Sequence, residues 1–375
     1  MAIKGLSPVE TRGEAVAGET SRPFRALMLN AVSFRTIGAL YILIILGIYF
    51  SLTTSTFAEV ATIRQILNGQ AVAALSALAL LLPLSAGIFD LSIAYTMSFT
   101  GILSAHLMVH ERFSLWAAIV ITLVTATAIG AVNGLVVIGL RIDSFIGTLA
   151  TGALIQAINT MISHDNSITS PVLYGGFAKI AQTSVGGFTL PIAYALVVAI
   201  ALWYVQERTA TGRRLFAIGF NRDAARLAGV STERHRFATL MVSSTLAGFA
   251  GIVLASSIGS GSSDAGTPYL LISFAATFLG ATQFKRGRFN AAGTILALLL
   301  LGTGTVGLAL KSAEQWAQSL FTGLVLIAAL TVTNYERRRS GGSPVTLRRA
   351  PNVTQQDSDR AAEPETRAPQ RPGGR

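Results

Sequence analysis

Apolar runs of about 20 residues recur along this chain, and that feature restricts its fold more than any other. A run of that length crosses a bilayer as a helix. Hydrocarbon offers no water to the backbone, so only helices and closed barrels can span it. The runs here are continuous rather than alternating, which argues against a barrel. Charged residues make up only 13% of the 375, where a soluble domain carries about a quarter. The chain therefore reads as an all-α polytopic membrane protein.

Ten spans can be drawn, at about 37–52, 66–84, 92–109, 115–139, 145–163, 190–206, 237–258, 269–284, 290–310 and 315–333. Loop charge sets their direction, because arginine and lysine concentrate on the cytoplasmic side. With the N-terminus inside, residues 207–236 fall inside, as do the turn Lys285-Arg286-Gly287-Arg288 and the tail with Arg337, Arg338 and Arg339. The loop 164–189 falls outside, with Lys179 as its one fixed positive charge. Both termini are then cytoplasmic. Residues 1–35 read as a loosely ordered cytoplasmic arm without a cleavable leader. Residues 36–334 form the membrane domain, and residues 335–375, rich in Pro, Gly and mixed charge, form a disordered tail.

The net charge of +11 follows the positive-inside pattern, so it does not imply nucleic-acid binding. The absence of cysteine excludes disulfides, thiol catalysis and cysteine-based metal sites within the chain. There is no Gly-Lys dipeptide, hence no P-loop, and no Gly-x-Ser-x-Gly elbow. His106 and His110 lie four apart on one helix face, but no further ligands accompany them, and no metal site is expected.

The loop 207–236 is the one long charged segment between apolar runs. Asn221 is a good helix N-cap, Asp223 suits the first turn, and Gly229 is a plausible C-terminal stop. Ser231 or Thr232 can cap the helix that follows. The expectation is a short helix over about 222–228, its Ala224, Ala225, Leu227 and Ala228 making a small apolar face beside Arg222 and Arg226. Such a helix can seat in a groove on another protein or lie on anionic headgroups. The residues alone leave both open.

The stretch Ser85-Ala86-Gly87-Ile88-Phe89-Asp90-Leu91-Ser92 interrupts the apolar pattern. It reads either as a loop or as a helix break at membrane depth, which is tolerated where it lines a cavity. Asp90 can cap the third span or face a polar solute. Candidates for a solute path are Asp90, Ser92, Thr96, Asn133, Thr148, Gln156, Asn159 and Thr305, with interhelical hydrogen bonding as the alternative for each. Gly130 with Gly134, and Gly302, Gly304 and Gly307, read as sites of close helix approach.

Taken together, Arg208-Thr209, Gly212-Arg213, Ala217-Ile218-Gly219, Asn221, Ala224-Ala225-Arg226-Leu227 and Gly229-Val230 stand in an order similar to the cytoplasmic coupling loop of a known family. Asp90-Leu91-Ser92, Asn133-Gly134-Leu135, Phe145-Ile146 with Thr148-Leu149, Ala265-Gly266-Thr267, Leu279-Gly280, Thr282 and Gly293-Thr294 add to it. Over about residues 60–333 the chain resembles the permease subunits of bacterial ABC importers of the ribose/xylose/galactoside type, relatives of the branched-chain amino-acid permeases. It departs from them at Phe89, at Leu270-Leu271 after Tyr269, at Ala281, Arg286 and Phe289, and near Thr305-Val306.

The resemblance implies an ATP-driven importer subunit of the bacterial inner membrane, with no covalent chemistry of its own. ATP and magnesium would sit on a separate cytoplasmic ATPase, and the chain itself would hold no cofactor. A second permease chain and an external solute-binding protein would complete the assembly. Gly212, Arg213, Gly219, Asn221, Ala224, Ala225, Arg226, Leu227 and Gly229 would form the ATPase-docking loop. A sugar or sugar-like solute is the leading cargo, with branched-chain amino acids or another small metabolite as the alternative. A transporter driven by an ion gradient is the rival of another class, and it would need charged relay residues in the spans.

Overall fold

The computed structural model describes residues 34–285, 287–311 and 314–339; residues 1–33 of the N-terminal arm, Arg286, residues 312–313 and the tail beyond residue 339 lie outside the described residues. The fold is an all-α bundle. Among the described residues seven helices are long and apolar enough to cross a membrane: Val60–Ser85, Leu115–Gly139, Ser144–Ser163, Leu190–Arg208, Thr232–Ile258, Ala291–Leu310 and Gln315–Tyr335. Three shorter apolar helices, Gly38–Thr53, Ile93–Val109 and Thr267–Ala281, complete the set, and each of the ten overlaps one expected span.

In chain order the elements are α1 (Phe34–Thr53), α2 (Val60–Ser85), α3 (Ile93–Val109), α4 (Leu115–Gly134, continued by a π turn Leu135–Gly139) and α5 (Ser144–Ser163). They continue with α6 (Leu190–Arg208), α7 (Ala210–Phe220), α8 (Arg222–Leu227), α9 (Thr232–Ile258), α10 (Thr267–Ala281), α11 (Ala291–Leu310) and α12 (Gln315–Arg339). Two boundaries differ from expectation for a common reason. α2 starts at Val60 and α9 at Thr232, each some residues before its apolar run, because a polar turn wound into helix satisfies its own backbone.

Burial separates an inner from an outer ring. Leu75, Leu78, Leu80 and Leu81 of α2 are fully enclosed. α9 packs against α2, α3 and α4 at the centre, and α10 against α2, α11 and α12. The outer helices present apolar side chains outward, among them Trp116, Val120 and Val124 of α4, Leu196, Val197 and Ile200 of α6, and Leu324 and Ile327 of α12. That is the distribution expected when the surroundings are lipid or another apolar chain.

Small residues let the inner helices approach closely. A methyl at Gly251 of α9 would overlap the Met97 carbonyl of α3, and one at Gly130 would reach Met241 Cα at 2.6 Å. Loops gather at two ends. At one end Gln206 Nε2 donates to Ser85 Oγ (3.0 Å) and to the Phe289 carbonyl (3.4 Å), Lys285 pairs with Glu207, and Arg288 lies 3.9 Å over the Phe216 ring. This is the arginine-rich end. At the other end two-residue strands pair Ile168–Thr169 with Ser260–Gly261 and Ser184–Val185 with Phe188–Thr189. Asn68 pins the latter hairpin to α2 through the Gly187 carbonyl (3.1 Å) and the Thr189 N–H (2.9 Å).

The α3–α9 contact sets a stability test. Gly251→Ala should cost about 1–3 kcal/mol through overpacking. Gly47→Ala, where no atom lies within 4 Å, should be neutral or slightly stabilising. Thermal unfolding in detergent reads both.

Candidate functional site

The charged loop folds into two short helices by local rules. Thr209 Oγ accepts from the Gly212 N–H (3.3 Å) and opens α7, whose Gly212, Leu215 and Ile218 face inward at helical spacing while Arg213 and Arg214 stay exposed. Asn221 Oδ1 accepts from the Ala224 N–H (3.0 Å) and opens α8, with Asp223 in its first turn. Gly229, at φ 80°, closes it: its N–H reaches the Arg226 carbonyl and the Val230 N–H reaches the Ala225 carbonyl, both at 3.0 Å. Arg222 pairs with Glu233 and ties α8 to the start of α9. Ser231 holds the N-cap position of α9, but its hydroxyl does not cap; His235 Nδ1 meets its carbonyl at 2.8 Å instead.

One expectation for the loop needs correction. Ala225 is buried, because a single helical turn lying on the bundle must turn one side inward, and Ala225 is on that side. The outward side carries Ala224, Arg226 and Ala228 with Leu227, which is 90% exposed.

α7 rests directly on the interruption after α2. A methyl at Gly219 would collide with the Ser85 carbonyl, and Gly87, at φ 71°, faces Gly219 in return. The interruption is a buried helix break: Ala86, Ile88, Asp90, Leu91 and Ser92 are all enclosed. Its backbone is irregular, so its donors need partners. α5 supplies them: the Phe89 N–H donates to Ser144 Oγ (3.2 Å) and the Leu91 N–H to Thr148 Oγ (2.9 Å). The Ser92 N–H donates to Asp90 Oδ1 (3.1 Å).

Asp90 combines a local turn with a clamp between helices. Oδ1 also accepts from Ser92 Oγ (2.6 Å), and Oδ2 from Ser243 Oγ of α9 (2.8 Å). Asn133 Nδ2 of α4 donates to Ser92 Oγ (2.7 Å), and Thr151 Oγ of α5 donates to Asn133 Oδ1 (2.6 Å). The chain Ser243–Asp90–Ser92–Asn133–Thr151 thus joins α9, the break, α4 and α5. Beside it the Phe89 ring stacks on Phe274 and Phe278 of α10, each at 6.3 Å, and meets Phe145 edge-on at 6.4 Å.

The structure brings together four of the eight solute-path candidates, Asp90, Ser92, Asn133 and Thr148, and commits their polar atoms to one another, to Ser243 and Thr151, or to backbone. Thr96 and Asn159 are buried elsewhere, with Thr96 Oγ, Asn159 Oδ1 and Gln156 Oε1 enclosed and unpartnered. Thr305 donates back to its own helix at the Leu301 carbonyl (3.0 Å). None of the eight lines the cavity of about 430 Å³ at the opposite end, which Gln70 and Tyr269 share. A second cleft, of about 660 Å³, lies beside the end of α8 and is lined by Arg141, Arg226 and Arg234. His106 and His110 sit 4.9 Å apart between ring centres, and among the described residues no three His, Cys, Asp or Glu side chains converge on a metal-sized site.

Comparison with known proteins adds a family. Residues 30–330 match the family described as the branched-chain amino acid transport system permease component. The chain is 28% identical to the D-allose transport system permease protein of Escherichia coli, over 86% of this chain and 97% of that one. It is 28% identical to the ribose import permease protein of Haemophilus influenzae, over 78% and 91%, and 28% identical to the L-arabinose transport system permease protein of Escherichia coli, over 80% and 91%. No solved structure matches.

The clamp predicts an asymmetry between two substitutions. Asp90→Leu strands the Ser92 and Ser243 hydroxyls and should cost about 3 kcal/mol or more. Asp90→Asn keeps one acceptor oxygen and should cost about 1 kcal/mol. Thermal midpoints in detergent compare them.

Proposed function

The chain belongs to the branched-chain amino acid transport system permease family, and from that premise we propose that it is the membrane subunit of an ATP-driven importer for a monosaccharide. Sugar is preferred over amino acid because the D-allose, ribose and L-arabinose permeases align over most of their length. A separate ATPase binds ATP and magnesium, an external binding protein delivers the solute, and a second permease chain completes the path. The arginine-rich end faces the cytoplasm, with both termini on that side of the inner membrane.

One observation carries this reading: the loop is built as a lever on the break. α8 offers Leu227 outward, while α7 is seated on Ser85 through Gly219, with no side chain between them. A partner that grips α8 and moves it therefore displaces Ser85–Ser92 and the Phe89 ring attached to it. The ring fills the space between α5 and α10, so its movement opens or closes the path at the cytoplasmic end. This is alternating access by transmitted displacement. The docking residues are Arg213, Ala224, Arg226 and Leu227 at the surface. Gly212, Gly219, Asn221, Ala225 and Gly229 set the shape of the loop that carries them.

An ion-gradient mechanism fits poorly. It requires a relay of titratable groups through the spans, and Asp90 is the one acid among the buried described residues.

Leu227→Asp tests the docking surface. It should reduce ATP-dependent sugar uptake by tenfold or more, the effect of placing a charge in a buried apolar contact of about 1.4 kcal/mol or greater. The protein should remain in the membrane at its usual level. Unchanged uptake would remove the docking role.

A further inference from the structure

We infer that the cavity shared by Gln70 and Tyr269 is the seat where the solute first binds this chain, and that it takes a small polyhydroxylated ring. The inference rests on the importer reading above and names the cargo's place within it. The cavity lies away from the arginine-rich end, between the middle of α2, the end of α9 and the start of α10. Its volume of about 430 Å³ falls in the range of small-molecule sites.

The lining has the chemistry of a sugar site. Leu254, Ile258 and Ile272 form apolar walls, which suit the C–H faces of a ring. The half-buried Tyr269 adds a flat aromatic surface with a hydroxyl at its edge. Gln70 adds an amide whose carbonyl oxygen is enclosed and has no hydrogen-bond partner. An amide both donates and accepts, and so matches a ring hydroxyl that does the same. The amide owes its position to α11, where Gly302 leaves room for the Gln70 stem; a methyl there would come within 2.6 Å of Gln70 Cγ.

The seat is closed toward the cytoplasmic end. One turn beyond Tyr269, Ser273 Oγ donates to Ser76 Oγ of α2 (2.7 Å), and a turn further Thr277 Oγ reaches the Ala77 carbonyl (3.2 Å). Phe274 and Phe278 then stack on Phe89. A solute in the cavity is held above a hydrogen-bonded seam and an aromatic plate, which is the arrangement of an outward-open state.

The chain has no cysteine, so Ile272→Cys introduces its only thiol, on the cavity wall. In the complete importer in cell membranes, labelling of this thiol by a small polar maleimide is followed with and without saturating D-ribose, D-allose or L-arabinose, and uptake of each sugar is measured alongside. At least one sugar should slow labelling about fivefold, and adding Gln70→Leu should abolish that protection and cut uptake about fivefold, the worth of one lost hydrogen bond. Tyr269→Phe should reduce both less. If Ile272→Cys does not transport, Ala265→Cys on the same cavity takes its place. Uptake without protection, or protection that survives Gln70→Leu, overturns the seat and leaves the importer standing. No uptake and no protection with any of the three sugars overturns the monosaccharide reading and the seat with it.

Discussion

The break at Ala86–Ser92 exists because α5 and Asp90 satisfy its backbone. A non-helical segment enclosed in a membrane protein exposes N–H groups to surroundings without water, at a cost of several kcal/mol each if unpaired. Ser144, Thr148 and Asp90 provide the acceptors. With those bonds made, the segment can leave the helical path, place Phe89 against α10 and present Gly87 to α7. Without them α2 and α3 would lack a stable junction, and the loop would have nothing fixed to rest on.

The other features depend on this junction. The Asp90 clamp holds the break to α9 and α4, so the segment moves with its neighbours or not at all. Gly219 makes the contact from α7 one of backbone on backbone, which is stiffer than one through flexible side chains. Cores and close helix contacts are poorly compressible. On the proposed docking role, a displacement applied at Leu227 would reach Phe89 through these close contacts. The apolar outer faces of α4, α6 and α12 carry no such connection and suit lipid or a second chain.

Much of this was legible in the sequence where the rule is local. Continuous apolar runs gave the ten helices, and Asn221 and Gly229 marked the ends of α8 because caps depend on a few neighbouring atoms. Gly87, Asp90 and Ser92 marked the interruption for the same reason. Contacts distant in sequence were not legible. Nothing local pairs Asp90 with Ser243, 153 positions away, and so the acid's role could not be separated from a solute contact. The inward turn of Ala225 escaped because a six-residue helix has too few positions to define a face. Gln70 and Tyr269 meet only once α2 and α10 are packed, and Tyr269 stood out in the sequence only through the residues that follow it.

The central proposal is that the loop 207–236 and the break move together and carry Phe89 with them. The most direct measurement is a pair of single-particle structures of the assembled importer, one without nucleotide and one trapped with a non-hydrolysable ATP analogue. The account predicts that the contact of Gly219 with Ser85 is kept in both while Phe89 separates from Phe274 and Phe278 in one of them. A shift of α7 away from Ser85 with Phe89 left in its stack would contradict it.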